Sequence, residues 1–460
     1  VRGLKSKASG RVVPIHVVAV ADYAEWLSGQ PDNVKSWLRD IDFKPKQGAH
    51  ATLPGAAGLD GVLLCLSSDS LWSWADLAAS LPRGDYTIAS PLSEKAATTA
   101  ALGWSLGTYD FSGFRAKPRR EEFASLVVPA SVKADAVKAM IEADTLGRDL
   151  INRPANDLGP SELAEAAEKL AKSHGADCHI IPKHRLIAEN FPAVFTVGHG
   201  SPRDPKLIDI RWGDAKHPRV TLVGKGVCFD TGGLTIKSEA WMRNMKKDMG
   251  GAATVLALAH LIMHHGFPVC LRVLIPAVEN STSGEAYRPG DIVKTRKGLT
   301  IEVANTDAEG RVILADALAA ADEEAPELLI DVSTLTGAAR AGLGPEIGAF
   351  FCDDNAASRD LDEASEAAQD PLWRLPLWKN YRKRIESSVG DILNLAPNDT
   401  AGAITAALLM KDFVEQAKVW IHLDVFCWND TGSPGRPIGG EPTGLRALFQ
   451  FIASRYPAGK

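Results

Sequence analysis

The sequence predicts an α/β protein of two domains: a smaller N-terminal α/β domain and a larger C-terminal one with a central, largely parallel sheet flanked by helices. Three observations predict it. With 460 residues, 45% hydrophobic and 23% charged, the chain exceeds what a single core usually holds and has the composition of a globular protein. Short apolar runs alternate with helical patterns over most of its length, and that alternation implies parallel strands covered on both faces. A polar, charged, Pro-containing stretch, "FRAKPRREEF", interrupts the alternation in the first third and reads as a boundary region.

In that first third, "VVPIHVVAV" and "GVLLCLS" read as strands, while "SLWSWADLAASL" and "SEKAATTAALGWSLGTY" carry helical spacing. After the strand "ASLVVP" a helical pattern runs from about Ser131 to Leu150. Pro154 breaks it, and Gly159-Pro160-Ser161 opens the next helix. The chain therefore divides into an N-terminal α/β domain over residues 1–130, a connecting helix over 131–150 and a C-terminal domain over 151–460. In the last, the strands "RVTLVGKG", "VCLRVLIPAV", "ELLIDVSTLTG" and "VWIHLDVF" alternate with the helices "GGAATVLALAHLIMHHG", "RVILADALAAADEE", "GAITAALLMKDFVEQA" and "TGLRALFQFIASR". Open sheets of this kind place their sites beyond the carboxyl ends of strands.

Composition removes several function classes. The net charge is 51 − 57 = −6, so no global basic field draws the chain to nucleic acid or membrane. The short basic runs "RAKPRR" (115–120) and "YRKR" (381–384) read as solvated faces or linker. Six scattered cysteines without a C-x-x-C pair argue for a reducing compartment and against a disulfide framework or a thiolate zinc site. No apolar run reaches the ~18 residues of a membrane span, and the start, at Val1, lacks a signal-peptide core. A cytoplasmic location is the default expectation.

Charged residues cluster just after the predicted strands. "LVGKGVCFDTGGLTIK" carries Lys225, Asp230 and Lys237; "KKDMGGAA" carries Asp248; "ANTDAEGRV" carries Asp307, Glu309 and Arg311; "LLIDVSTLTG" carries Asp331. Carboxylates gathered at one end of a sheet repel and do not all ionise without a compensating charge. Hard divalent cations such as Mg²⁺, Mn²⁺ or Zn²⁺ provide it, and the number of acids suits two cations that share bridging carboxylates. On that reading Asp307 and Glu309 face metal and Arg311 faces an anion beside it. Taken singly, Asp230 is an ordinary turn former, Asp248 a helix cap, and Asp307 and Glu309 first-turn acids. Their joint occurrence after apolar strands is what those separate explanations leave out.

Other chemistries find less support. The segment around Lys225-Gly226 is not G-x-x-x-x-G-K-[ST], and nearby acids repel phosphate. His260, His264 and His265 lack the Glu of H-E-x-x-H and read as helix-surface or core histidines. No G-x-S-x-G occurs, and Cys228 has no histidine near it in sequence.

These same segments resemble the leucyl aminopeptidase (cytosol aminopeptidase) family of dinuclear metallo-exopeptidases. "NTDAEGRV" differs from the family's octapeptide only at Val312, and "VGKGVCFDTGGLTIK", "KKDMGGAA", "DVSTLTGA", "LWRLPL" and "WIHLD" follow in family order. The likeness is strong over about residues 145–450. It implies an aminopeptidase that hydrolyses the N-terminal residue from peptides through a two-metal centre with a bridging water or hydroxide. The implied metal ligands are Lys225, Asp230, Asp248, Asp307 (also through its carbonyl) and Glu309. Lys237 is implied to stabilise the gem-diolate, Arg311 to hold a bicarbonate that relays the proton, and Met245, Thr334 and Gly337 to line the substrate pocket. The implied cofactors are two ions of Mn²⁺ or Zn²⁺, with Mg²⁺ or Co²⁺ in an exchangeable site, and bicarbonate. The implied partners are peptides with a free N-terminus and five further copies in a homohexamer. "FCWNDTGSPGRPIGGEPTG" departs from the family's small-residue run after "HLD". It adds Glu441 near the pocket, where an acid either favours basic N-terminal residues or faces solvent; the scarcity of unpaired buried acids favours solvent, and with it a broad apolar preference.

Overall fold

The computed structural model describes residues 2–56, 58–117, 123–398 and 400–458. Two compact units emerge, residues 1–145 with Thr431–Ile438, and residues 146–430 with 439–460. Positions 118–122, shared by the "RAKPRR" run and the predicted boundary stretch, lie outside the described residues.

The smaller unit has six strands, β1 (Leu4–Lys5), β2 (Val12–Ala19), β3 (His50–Gly55), β4 (Gly58–Leu66), β5 (Asp85–Ile88) and β6 (Ser125–Val127), in the order β1-β6-β5-β2-β4-β3. All neighbours run parallel except β3 and β4. Helices Leu71–Ser80 and Glu94–Leu106 begin at Ser70 and Ser93, whose side chains accept from Ser73 N and Ala96 N and so satisfy donors the helix cannot. Gly103 lets the two helices touch, since a Cβ there would lie 2.2 Å from Leu71 O. Trp74, Tyr86 and Trp104 fill the core beneath them. Thr431–Ile438, which the sequence reading left inside the C-terminal domain, belongs to this unit: Gly435 packs on Trp72 and Ala75, and the Arg436 guanidinium lies 5.5 Å from the Trp72 ring centre.

Helix Ala134–Asn152 precedes Pro154, which ends it. The larger unit then carries β7 (Asp177–Pro182), β8 (Lys206–Trp212), β9 (Arg219–Gly224), β10 (Gly226–Asp230), β11 (Cys270–Asn280), β12 (Ile292–Lys294), β13 (Thr300–Glu302), β14 (Leu328–Ser333), β15 (Gly348–Phe351), β16 (Leu372–Arg374), β17 (Ile392–Leu393) and β18 (Val419–Asp424). The main sheet runs β16-β15-β18-β14-β9-β11-β8-β7, with β10 also on β11, and β12, β13 and β17 form a small sheet of their own. Its centre, β18-β14-β9-β11-β10, is parallel; β8, β7 and β15 introduce antiparallel edges. Parallel central strands are covered on both faces, and β14 and β18 are buried at every residue.

Helix Gly250–His264 is buried nearly all round. A Cβ at Gly251 would lie 2.0 Å from Val332 O, and one at Gly224 would lie 2.7 Å from Ala252 Cα. Both glycines let the start of this helix sit directly on the ends of β9 and β14, which draws Asp248 to the sheet's carboxyl edge. Among the described residues, no helix is long and apolar enough to cross a membrane. The six cysteines are free thiols. The "YRKR" run lies in a 3-10 turn, with Arg382 paired to Asp412 at 2.6 Å.

Asp331 does not join the other acids. In β14 it faces His422 of β18, with Nδ1 donating to Oδ1 at 2.5 Å while Trp420 Nε1 donates to Oδ2 at 2.8 Å. Burial works against the imidazolium, but the charges of Asp331 and Asp424 outweigh it and raise the His422 pKa above its ordinary 6.5. A raised folded pKa means the stabilisation is full below the unfolded value and fades as pH climbs through the folded one. Replacing His422 by Gln is expected to cost about 3 kcal/mol near pH 6, as breaking a buried ion pair does. The gap from wild type in denaturant unfolding should shrink between pH 6.5 and alkaline pH; a gap that widens would contradict the charged pair.

Candidate metal centre

Three strand ends and two helix starts build the site. Past β9, Lys225 leads into β10, which ends at Asp230. Asp230 Oδ1 accepts from Gly232 N and from Asn280 Nδ2, each at 2.8 Å. Gly232 and Gly233 take φ of +87° and +62°, a region open mainly to glycine, and the loop turns back so that Lys237 N donates to Thr231 O at 2.9 Å. That return brings the Lys237 ammonium to 2.8 Å from Asp230 Oδ2 and into an ion pair with Asp307 Oδ1.

Asp248 sits in the 3-10 turn Met245–Met249, just before helix Gly250–His264. Thr334, beyond β14, donates its hydroxyl to Asp248 Oδ1 at 2.7 Å. The Lys225 ammonium lies 2.7 Å from Asp248 Oδ2 and 2.8 Å from Glu309 Oε1. Glu309 opens helix Glu309–Asp322, and its neighbour Gly310 makes room: a Cβ there would lie 2.7 Å from Lys225 Cε. Arg311 Nη1 donates to Asn394 O at 2.5 Å.

Carboxylate oxygens of Asp230, Asp307 and Glu309 lie within 4.8 Å of one another. Lys225, Asp230, Asp248, Glu309 and Arg311 are each at most 4% exposed. With all four carboxylates ionised, they and the ammoniums of Lys225 and Lys237 would sum to −4 + 2 = −2. The electrostatics register the strain. Burial, then the charge of Asp230, pushes Glu309 up to about 8 and Asp307 up to about 6. Burial opposes the Lys225 and Lys237 ammoniums, yet the surrounding acids outweigh it and raise both. Burial lowers Arg311 to about 10.

Asp248 Oδ2, Asp307 Oδ1 and both Glu309 oxygens are buried, and among the described residues neither they nor Arg311 Nε has a hydrogen-bond partner. The lysines face these acids at ion-pair distance. Buried acceptors without hydrogen bonds are costly, and hard oxygen donors bearing excess negative charge suit divalent cations. The donor set fits metal.

The other predicted residues fall nearby with different surroundings. Met245 is buried one turn before Asp248, Thr334 contacts Asp248 directly, and Gly337 opens helix Gly337–Leu343 with open space where a Cβ would stand. Glu441 does not face solvent. It is 3% exposed, 3.1 Å from Arg148 Nη2, and accepts from Asn429 Nδ2 at 3.2 Å. The departing segment thus brings a buried partner with its acid, and an unpaired carboxylate was the wrong premise. His260 pairs with His174 at 2.9 Å on the flank of helix Gly250–His264 and takes no part in the acidic cluster.

Sequence reasoning passed over Asn280 and Asn394. Besides holding Asp230, Asn280 Nδ2 donates to Thr306 O at 3.0 Å, and Asn394 Oδ1 accepts from Ala304 N and Asn305 N at 2.8 and 3.2 Å. Together they fix the "ANTDAEGR" turn. Asn280 ends the apolar strand "LIPAVEN", a signal that was available; Asn394 lies in a short loop with no periodicity to mark it.

A buried acidic cluster suited to divalent cations, at the carboxyl edge of a covered parallel sheet, is the kind of site a metal-dependent enzyme uses. The catalytic domain of the cytosol aminopeptidase family matches residues 145–449, and the M17 aminopeptidase N-terminal domain matches residues 13–129. A probable cytosol aminopeptidase of Roseiflexus castenholzii is 40% identical over 381 residues, 78% of each chain. One of Agrobacterium fabrum is 37% identical over 443 residues, 91% of this chain and 88% of the relative. The crystal structure of the cytosol aminopeptidase from Coxiella burnetii superposes with a TM-score of 0.94 at 44% identity, covering 98% of this chain and 99% of that one. The bottromycin maturation enzyme BotP in complex with Mn gives 0.85 at 31% identity, covering 96% and 99%. The chain belongs to the cytosol aminopeptidase family and is a metalloaminopeptidase acting on peptides.

Proposed function

We propose that the chain removes N-terminal residues through two divalent cations held by Lys225, Asp230, Asp248, Asp307 and Glu309, Asp307 also offering its backbone carbonyl. The observation that carries this reading is the set of buried carboxylate oxygens without hydrogen bonds around Glu309. Mn²⁺ or Zn²⁺ suits these donors, with Mg²⁺ or Co²⁺ in an exchangeable position; a relative of this fold binds Mn. When bound, the cations supply the positive charge that acidifies an attacking water and polarises the scissile carbonyl.

The side chains do the remaining work. Lys237 is the least enclosed of the two lysines, with 14% of its side chain exposed against 3% for Lys225. From there it donates to the carbonyl oxygen as negative charge develops on it, the role of an oxyanion donor. Arg311 keeps a buried Nε without an acceptor among the described residues and would hold a bicarbonate there, which would supply a base for a proton. Met245, Thr334 and Gly337 border the space for the substrate's first side chain. The family resemblance further supports a homohexamer and a cytoplasmic location.

Chelation should abolish release from amino-acid p-nitroanilides, and Mn²⁺ or Zn²⁺ should restore it. Full activity after exhaustive chelation, with metal absent by elemental analysis, would overturn the two-cation reading.

A further inference from the structure

Directly before Asp248, Lys247 is 5% exposed. Among the described residues its ammonium makes no hydrogen bond and no ion pair; its one close partner is the face of Phe426, whose ring centre lies 4.7 Å from Nζ. Asp248 acts on it through space but makes no ion pair with it, since that carboxylate is engaged by Lys225 at 2.7 Å and by the Thr334 hydroxyl. A second cation touches the same ring. The Arg340 guanidinium sits 4.0 Å from the Phe426 centre and 5.7 Å from that of the exposed Trp241, and Asp430 takes up its charge at 2.5 Å. Lys247 is left as a nearly buried charge with no anion of its own, an arrangement that is costly unless something pairs with it.

The chain fixes where that anion must come from. Lys247 shares its 3-10 turn with Met245 and Asp248. Phe426 follows Asp424, which accepts from Leu335 N and Thr336 N, and Arg340 lies on the helix that this turn opens. All three residues therefore stand where Met245, Thr334 and Gly337 border the space for the substrate's first side chain.

We propose that Lys247, flanked by Phe426 and Arg340, is the specificity-determining residue for that side chain and receives a carboxylate, so that the chain prefers peptides beginning with Glu or Asp. This rests on the active-site reading above and replaces the apolar preference expected from sequence. The Phe426 ring supports the methylenes and Lys247 faces the acid, while Arg340, already paired with Asp430, contributes from the far side of that pair.

The test compares kcat/KM of the Mn²⁺-loaded full chain on Glu-, Gln-, Asp-, Asn- and Leu-p-nitroanilides, which carry no C-terminal carboxylate. Glu should exceed Gln by tenfold or more. Lys247→Met, with metal content checked, should bring that ratio to within about threefold of unity; Lys247→Arg should preserve the preference. Arg340→Gln, further from the metal ligands, should lower the ratio by a few-fold and stands in if Lys247→Met loses metal. A wild-type ratio at or below one overturns the proposal, as does an undiminished ratio in metal-loaded Lys247→Met. So does a Lys247-dependent preference for Leu-Gly over Leu-Gly-amide without one for Glu, which would put the carboxylate on the leaving side. Release of Leu or Gln without any Glu preference removes only this subsite; release from none of the anilides removes the active-site reading with it.

Discussion

Glu309→Gln is expected to lose metal and activity together, with kcat/KM falling by about 10³ or more, roughly 4 kcal/mol. The substitution keeps shape and removes charge. Glu309 is 1% exposed, and among the described residues its oxygens lack hydrogen bonds while Lys225 faces it at 2.8 Å. Against the fully ionised cluster that a dication would draw out, the amide lowers the formal charge from −2 to −1 and leaves less to offset the dication. The fold should not suffer in the absence of metal, because burial and Asp230 already push this carboxyl up to about 8 and a neutral amide relieves that repulsion. Wild type should therefore gain thermal stability on Mn²⁺ addition, by mass action, and the variant should not. A Glu309→Gln protein that binds Mn²⁺ as tightly as wild type would remove this residue from the ligand set.

Lys237→Ala separates chemistry from metal binding. Its ammonium pairs with Asp230 and Asp307, so truncation removes a positive charge from the acids and leaves their oxygens in place. Metal content should hold, KM should change little, and kcat should fall on the order of 10²–10³, the loss seen when one oxyanion donor is removed. A metal-free Lys237→Ala would make this lysine a support for the acids rather than a catalytic group.

Legibility followed physics rather than position. The parallel centre of the large sheet was readable because buried strands such as Leu328–Ser333 and Val419–Asp424 are continuous apolar runs between helical patterns. The acids of the cluster were readable because Asp230 ends a strand, Glu309 opens a helix, and Asp248 and Asp307 lie in the turns just before helices. Asp331 looked the same in sequence, but its place inside β14 opposite His422 depends on strand register, which no local pattern reveals. Glu441 was misjudged because its partner Arg148 is almost three hundred residues away in sequence. For the same reason Lys247 passed unnoticed: a lysine beside an acid reads as a paired surface charge until the structure gives that acid to Lys225. Thr431–Ile438 could not be assigned to the smaller unit before Trp72 and Ala75 were seen to receive it.

The central claim is that Lys225, Asp230, Asp248, Asp307 and Glu309 hold two divalent cations. Anomalous diffraction from Mn²⁺-loaded crystals of the full chain tests it most directly. Two manganese peaks should lie among these five side chains, with the Lys225 amine in bonding contact with one of them. A single peak, or peaks elsewhere, in crystals of fully active protein would contradict the two-cation centre.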